Sequence, residues 1–336
     1  MKHKALALLS GGLDSTLAIK LMLDLGFDVT AVNFTSPFCL CNRSTDGTCS
    51  HVASQVAKEL GVEIKIVYVG EEYLDVVKNP KFGYGKNMNP CLDCRIFIFK
   101  KAKKFMEEIG ASFIITGEVL GQRPMSQRRD AMNLIDRESG LKGYIVRPLS
   151  AKLLEPTIPE TEGIIDREKL LKISGRSRKP QMKLVEDFHI QNFACPAGGC
   201  LLTDMIFAGR MRDLLKYSDS PSLVDINLLK TGRHFRISSQ CKVVVGRNHS
   251  ENERIEELAG PEDYLFHAEH YKGPLALCRG TFDEETASLV AGITAKYSKA
   301  PEGERVEVSF RRNNDDESGK IEVKGISDEQ LTKLRI

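Results

Sequence analysis

The sequence predicts an α/β chain, a doubly wound parallel sheet followed by a smaller C-terminal α+β domain. Three observations carry this expectation. Short apolar runs alternate with segments of helical spacing through the N-terminal part. A glycine-rich turn joins the first apolar run to the first helical segment. From about residue 218 the pattern changes to strands with alternating faces. The expected boundaries are a nucleotide-binding domain over 1–180, a linker with late cysteines over 181–217, and the smaller domain over 218–336.

The first strand is Ala5-Leu6-Ala7-Leu8-Leu9, unbroken and apolar, as in a parallel strand buried on both faces. Residues 16–23 then carry apolar side chains at helical spacing. Further strands are expected over 29–34, 63–69, 112–116 and 144–149, with helices over 52–60 and 97–109. In such sheets ligands bind beyond the carboxyl ends of the strands. The turn at residues 10–15, Phe34-Thr35 and Gly117-Glu118 all fall there.

The turn reads Ser10-Gly11-Gly12-Leu13-Asp14-Ser15. The glycines allow a tight bend and close approach to a ligand. The new helix presents unpaired N–H groups and its positive end, and phosphate is the natural guest. Asp14 would repel phosphates unless a divalent cation lay between. The spacing is not that of the usual P-loop, and no lysine sits in the turn. The six residues resemble the pyrophosphate loop (PP-loop) of the N-type ATP pyrophosphatases, whose motif is Ser-Gly-Gly-x-Asp-Ser. That resemblance implies the PP-loop, adenine nucleotide α-hydrolase-like fold. It also implies ATP with Mg2+, cleavage between the α- and β-phosphates, and adenylation of a carbonyl oxygen whose AMP a nucleophile displaces. The candidate ATP-binding residues are Ser10, Gly11, Gly12, Asp14, Ser15, Thr16, Phe34, Gly117 and Gln122, with Asp14 also catalytic.

Net charge is +2 over 336 residues, so global charge does not announce a nucleic-acid partner. No apolar run is long enough to span a bilayer, no secretory signal pattern is present, and a cytoplasmic protein without membrane contact is expected. Nine cysteines in such a chain argue for metal, cluster or catalytic roles. Cys39, Cys41, Cys49 and His51 fall in one short loop whose ligand types suit Zn2+, with ordinary loop thiols and a surface histidine as the alternative. Cys91 and Cys94 form a Cys-x-x-Cys pair at a helix start, where the dipole is expected to favour thiolate. Redox dithiol, metal ligand pair and iron–sulfur ligand pair all stay open on spacing alone.

The stretch Thr116-Gly117-Glu118-Val119-Leu120-Gly121-Gln122, followed by Ser126-Gln127, resembles the tRNA 4-thiouridine synthetases. Asn89-Pro90-Cys91-Leu92-Asp93-Cys94 is similar to positions used by that group and by the tRNA 2-thiouridine synthetases. The resemblance covers about the first two hundred residues. It implies an ATP-dependent tRNA sulfurtransferase of 4-thiouridine or 2-thiouridine type, with tRNA and a sulfur donor (free sulfide or a persulfide carrier) as partners. It also implies a 4Fe–4S cluster on Cys91, Cys94 and a later cysteine. Cys195, in a Cys-Pro pair, is the expected third ligand, and Cys200 is a sulfur relay or the alternative ligand. The N-terminal RNA-binding extension usual in the 4-thiouridine synthetases is expected to be absent, because the loop begins almost at residue one. A homodimer is compatible with this reading.

The basic run Gly175-Arg176-Ser177-Arg178-Lys179-Pro180 reads equally as an RNA contact or a solvated loop. Beyond it, the order Val-Gly-Arg-Asn, Glu-Asn, Asp-Tyr-Leu-Phe-His-Ala over about 230–290 looks like the RNA-binding domain of NFACT proteins. Arg233, Arg236, Lys242, Arg247 and Asn248, with His234 and a stacking Phe235, form the expected RNA-facing patch. The alternative function is a PP-loop amide ligase or synthetase that adenylates a small molecule without cluster or RNA. The cysteine pair and the C-terminal domain count against it. A non-enzymatic RNA-binding protein is the third reading, opposed by the intact Asp14-Ser15 pair.

Overall fold

The computed structural model describes residues 3–39, 49–190, 193, 199–314 and 318–336. Cys41 and Cys195 lie outside the described residues, as does the side chain of Cys49. The chain divides into two compact units, Met1–Asp204 and Met205–Ile336.

The first unit runs β1 (Lys4–Leu8), α1 (Leu13–Asp24), β2 (Asp28–Thr35), α2 (Cys49–Leu60), β3 (Glu63–Tyr68), α3 (Glu71–Lys78), α4 (Cys91–Glu108), β4 (Phe113–Thr116), α5 (Arg129–Glu138), β5 (Ile145–Val146), α6 (Ile158–Thr161) and α7 (Lys179–Asp187). Its strands pair in parallel in the order β3-β2-β1-β4-β5. Alternate residues of β1 enter opposite cores. Ala5 and Ala7 join Leu17, Met22, Val56 and Phe113 on one face, while Leu6 joins Ile96, Phe99, Met106 and Ile114 on the other. A strand buried on both faces can be apolar throughout, which is why its sequence shows no alternation. The chain leaves β1 toward β2 and β3 and returns on the other side as β4. The order therefore reverses beside β1, and a crevice opens beyond the carboxyl ends of β1 and β4.

The strand expected over 144–149 shrinks to Ile145–Val146. Pro148 has no N–H to give a ladder, and Arg147 turns inward to Glu118 and Asp136. Segment 154–181 holds α6 and the start of α7.

The second unit runs α8 (Met205–Tyr217), α9 (Leu223–Leu228), β6 (Arg233–Ser238), β7 (Cys241–Val245), α10 (His249–Glu257), β8 (Tyr264–Ala268), β9 (Ala276–Gly280), α11 (Glu284–Lys296), β10 (Arg305–Arg312), β11 (Ser318–Lys324) and α12 (Asp328–Leu334). Its antiparallel sheet has the order β11-β10-β8-β9-β7-β6. Phe235, Val243, Phe266 and Cys278 face one core with Val290 and Ile293 of α11. Val244, Leu265 and Leu277 face another with Ile255 of α10.

Candidate functional site

The turn after β1 is shaped by close approach. Gly11 has φ +74°, and a Cβ there would lie 3.0 Å from the backbone nitrogen of Ala53. Gly117, at the exit of β4, leaves no room for a side chain either, because its Cβ would meet Ser15 N at 2.3 Å. Glycine at both positions lets β4 press against the first turn of α1. Gly12 caps α1 in an extended conformation without a side-chain cap bond. The helix therefore begins with N–H groups free for an anion. Ser10 Oγ and Ser15 Oγ lie 3.1 Å apart, and Ser15 Oγ and Thr16 Oγ1 donate to Gly12 O at 2.8 and 3.1 Å. Phe34 sits at the end of β2, among the side chains packed on the Phe99 core.

Asp14 is held by two amides from distant parts of the chain. Gln122 Nε2 donates to Asp14 Oδ2 at 2.6 Å, and Gln181 Nε2 donates to Asp14 Oδ1 at 3.3 Å and to Gln122 Oε1 at 3.1 Å. Gln181 is fully buried, and its Oε1 has no hydrogen-bond partner. Asn33 donates to Leu9 O at 2.7 Å, and its Oδ1 is likewise without a partner. Oxygen ligands and acceptors for bound water are what magnesium takes. The Asp14 carboxylate and these spare carbonyl oxygens fit that ion with ATP phosphates.

Loop 117–127 reaches Asp14 because Ser150 and segment 173–175 hold it. Leu120 N–H donates to Ser150 Oγ at 3.0 Å, and Gly175 N–H to Leu120 O at 2.7 Å. Glu118 in this loop is buried between Arg147 (Nε to Oε2, 3.0 Å) and Arg95 of α4 (Nη2 to Oε1, 2.9 Å). Burial alone would raise its carboxyl, but Arg95 and then Arg147 more than offset this and hold it below the usual range. Arg147 also pairs with Asp136, by Nη1 at 2.8 Å and Nη2 at 2.6 Å. Arg123 is lowered by loss of solvent around its guanidinium and by the like charges of Arg95 and Arg178, while Asp14 raises it. Crowded arginines beside an uncapped helix start call for a polyanion.

Arg95 also leads to the cysteines. Cys91 opens α4 and Cys94 closes its first turn, with Cys94 N–H donating to Pro90 O at 2.8 Å. The expectation of thiolate there is corrected. Burial raises Cys91 against Arg123 and Arg95, and burial raises Cys94 against a hydrogen bond from Tyr73. Removing a thiolate from water outweighs the partial charge of a helix end. Cys200 is pushed up to about 12, again by burial. Cys39 stands opposite Cys200 in an isolated antiparallel bridge, not at the centre of its own loop. His51 is exposed at the start of α2, with Nε2 3.0 Å from Gln55 Nε2. Among the described residues no group of three or more His, Cys, Asp or Glu is disposed to hold a metal ion. The expected ligand sets are thus only partly described, since Cys41 and Cys195 lie outside the described residues.

Comparison with known proteins agrees with this geometry. Residues 1–154 match the family described as thiamine biosynthesis protein (ThiI), and residues 232–335 match the NFACT protein RNA binding domain. The chain joins a ThiI-type PP-loop domain to an NFACT-type RNA-binding domain. A probable tRNA sulfurtransferase of Thermococcus kodakarensis is 31% identical over 151 residues, 44% of this chain and 36% of that protein. A tRNA-specific 2-thiouridylase MnmA of Leptospira biflexa is 25% identical over 197 residues, 53% of this chain and 50% of that protein. The chain thus spans about half or less of the curated relatives it matches. A crystal structure of a 4-thiouridine synthetase–RNA complex with bound ATP is 22% identical, with a TM-score of 0.35 over 56% of this chain and 52% of that one.

In the NFACT-type domain the expected RNA residues have internal partners. Arg233 lies over Tyr297 at 4.5 Å. Arg236 makes two bonds to Asp213, at 3.1 and 2.5 Å, and covers Tyr217 at 4.6 Å. Lys242 is buried, 3.4 Å from Asp213, and burial lowers it to about 8. Arg247 Nε donates to Glu251 at 2.9 Å, and Asn248 caps α10 by accepting from Glu251 N–H. His234 and Phe235 are corrected from the expected patch: both are buried, so Phe235 offers no face to a base.

Sequence reasoning missed Gln181, Arg95 and Arg123 as parts of this site, read Arg178 only as an RNA contact or a solvated loop, and placed Glu118 at the strand ends without its arginine partners. Gln181 did leave a signal. It occupies the apolar stripe of α7 with Leu184, Val185 and Phe188, spaced i, i+3, i+4, i+7. A polar residue on such a stripe needs a buried partner, and here the partner is Asp14.

Proposed function

We propose that the chain is an ATP-dependent tRNA sulfurtransferase. It adenylates a nucleobase carbonyl oxygen, forms AMP and pyrophosphate, and puts sulfur in place of that oxygen, as in 4-thiouridine or 2-thiouridine. The observation that carries this reading is the clamped Asp14 beside the uncapped start of α1, linked through Glu118 and Arg95 to the Cys91–Cys94 turn. Activation and sulfur delivery then lie along one line of residues. The N–H groups of residues 13–15 and the Ser10 hydroxyl donate to phosphate oxygens, and Arg123 adds positive charge. Magnesium, when bound, offsets charge on the departing pyrophosphate. Asp14 is kept in place by Gln122 and Gln181. Adenylation makes the oxygen leave as AMP, and the soft nucleophile is free sulfide itself or sulfur that a persulfide carrier has passed to a thiol of the cysteine group.

The NFACT-type domain supports tRNA as the macromolecular substrate. A 4Fe–4S cluster on Cys91, Cys94 and Cys195 is what the resemblance implies for the sulfur site, with Cys195 outside the described residues. The test is incubation with ATP, tRNA and sulfide, followed by nucleotide analysis and mass spectrometry of tRNA nucleosides. AMP, pyrophosphate and a thiolated uridine are expected. ADP with phosphate, or AMP formation that ignores tRNA, would overturn the reading.

A further inference from the structure

Three cationic residues stand abreast on the antiparallel sheet of the second unit. Arg236 of β6 pairs with Lys242 of β7, and Lys242 pairs with Arg279 of β9. Residues directly opposite in such a sheet share a face, and like charges so placed are destabilising. Carboxylates offset the two outer members. Arg236 bonds Asp213 of α8 through Nε and Nη2, and Arg279 bonds Asp225 of α9 and Asp263. The middle member is left over. Lys242 is 7% exposed, and its Nζ makes no hydrogen bond. Asp213 Oδ2 lies 3.4 Å away but already accepts from Arg236 Nη2. Arg210, bonded to the carbonyls of Leu229 and Gly232, adds like-charge repulsion. A buried ammonium with donors to spare is costly to keep.

Those donors border a cavity of about 290 Å³. It is lined by apolar Leu228, Leu229 and Val244 and by the planar groups of Tyr217 and Arg236. The Arg236 guanidinium lies 4.6 Å from the centre of the Tyr217 ring. The three charges of the row meet three carboxylates, so the cavity offers hydrogen-bond donors more than net charge. A flat, neutral ligand with a carbonyl edge suits it better than a phosphate. Unpaired RNA bases are recognised in this way, by stacking on aromatic and guanidinium planes and by hydrogen bonds to their edges. We propose that the cavity takes one unpaired base of an RNA strand, with a carbonyl edge as in uracil or guanine, set against Tyr217 and Arg236 and accepting a hydrogen bond from Lys242 Nζ. The proposal rests on the RNA-binding reading of this domain. It adds that the domain holds a base, where the basic residues of the sequence point to phosphates.

The test is fluorescence anisotropy of labelled strands on the full-length protein, at one salt concentration and without ATP or sulfide. Hexauridylate is compared with a strand of six abasic ribose phosphates, which keeps the phosphates and lacks the bases. Wild type is expected to bind hexauridylate about tenfold more tightly, the worth of one stacked base. Tyr217→Ala and Lys242→Met should each erase that difference. Hexaadenylate, which offers Lys242 no carbonyl, should bind more weakly than hexauridylate. Wild type that binds the abasic strand or hexaadenylate as tightly as hexauridylate overturns the proposal, as do variants that keep the wild-type difference. Two further arms need no variant. Hexauridylate carrying one 5-iodouridine should join, on irradiation, to the peptide that holds Tyr217, and attachment elsewhere counts against the site. Uridine monophosphate should displace the strand only in large excess. Displacement at equal concentration would assign the cavity to free nucleotides and overturn the strand as its source. Because no arm contains ATP or sulfide, their failure is distinct from failure of the thiolation assay.

Discussion

Gln122 donates its side-chain amide to Asp14 across 108 positions of sequence, at 2.6 Å, and Gln181 fixes which way that amide points. Gln181 spends its donors on Asp14 and on Gln122 Oε1, so the oxygen of Gln122 is turned away from the carboxylate. Gln181→Met is expected to lower AMP formation about tenfold, the worth of one hydrogen bond to a charged group. ATP affinity should change less than turnover. Unchanged turnover at saturating ATP and magnesium would show that Asp14 needs no such support.

Arg147 is expected to matter for stability before chemistry. It is buried and shared between Glu118 and Asp136. Arg147→Ala leaves a buried carboxylate short of a partner and should cost about 3–5 kcal/mol in urea unfolding. The pH dependence has a definite sign. Glu118 titrates below its ordinary 4.5 in the folded chain. Its contribution is therefore complete above that value and is lost as pH falls through the lower, folded-state value. A variant with the wild-type acid unfolding profile would contradict this.

Lys242 predicts the opposite slope. Below about 8 the ammonium is charged in both folded and unfolded chains, and burial opposes folding in full. Between about 8 and 10.5 the folded chain has shed a proton that the unfolded chain keeps, so stability rises with pH. Lys242→Met should stabilise the protein near neutrality by about 2–3 kcal/mol and abolish that rise. Urea titrations at pH 7 and pH 10 read both effects.

Removing residues 205–336 should weaken tRNA binding more than ATP binding. Each lost phosphate contact should flatten the plot of log affinity against log salt by ~0.7–0.9. Equal tRNA affinity of the shortened and full chains at matched salt would place the RNA surface on the first unit.

The sheet was legible because β1 and β4 are apolar on both faces and β2 nearly so, a pattern that survives any tertiary context. The phosphate turn was legible because glycine and serine act locally. What could not be read is what tertiary packing decides. Arg95 and Arg123 directly follow quoted motifs, yet only the fold brings Arg123 beside Arg95 and Asp14. Cys91 looked like a thiolate from its helix position, and burial reversed that. Phe235 looked like a stacking residue, but β6 is covered on the face it occupies. Cys39 stands opposite Cys200 through a single backbone bridge that spacing does not show.

The clamp on Asp14 also sets a timetable for synthesis. The carboxylate is made first, and its last support, Gln181, follows 167 positions later. At ribosomal rates of ~5–20 residues per second, that interval is about 8–30 s. During it the nascent chain carries a complete phosphate turn whose carboxylate is not yet fixed. The two-amide clamp is complete only once α7 has left the ribosome and docked.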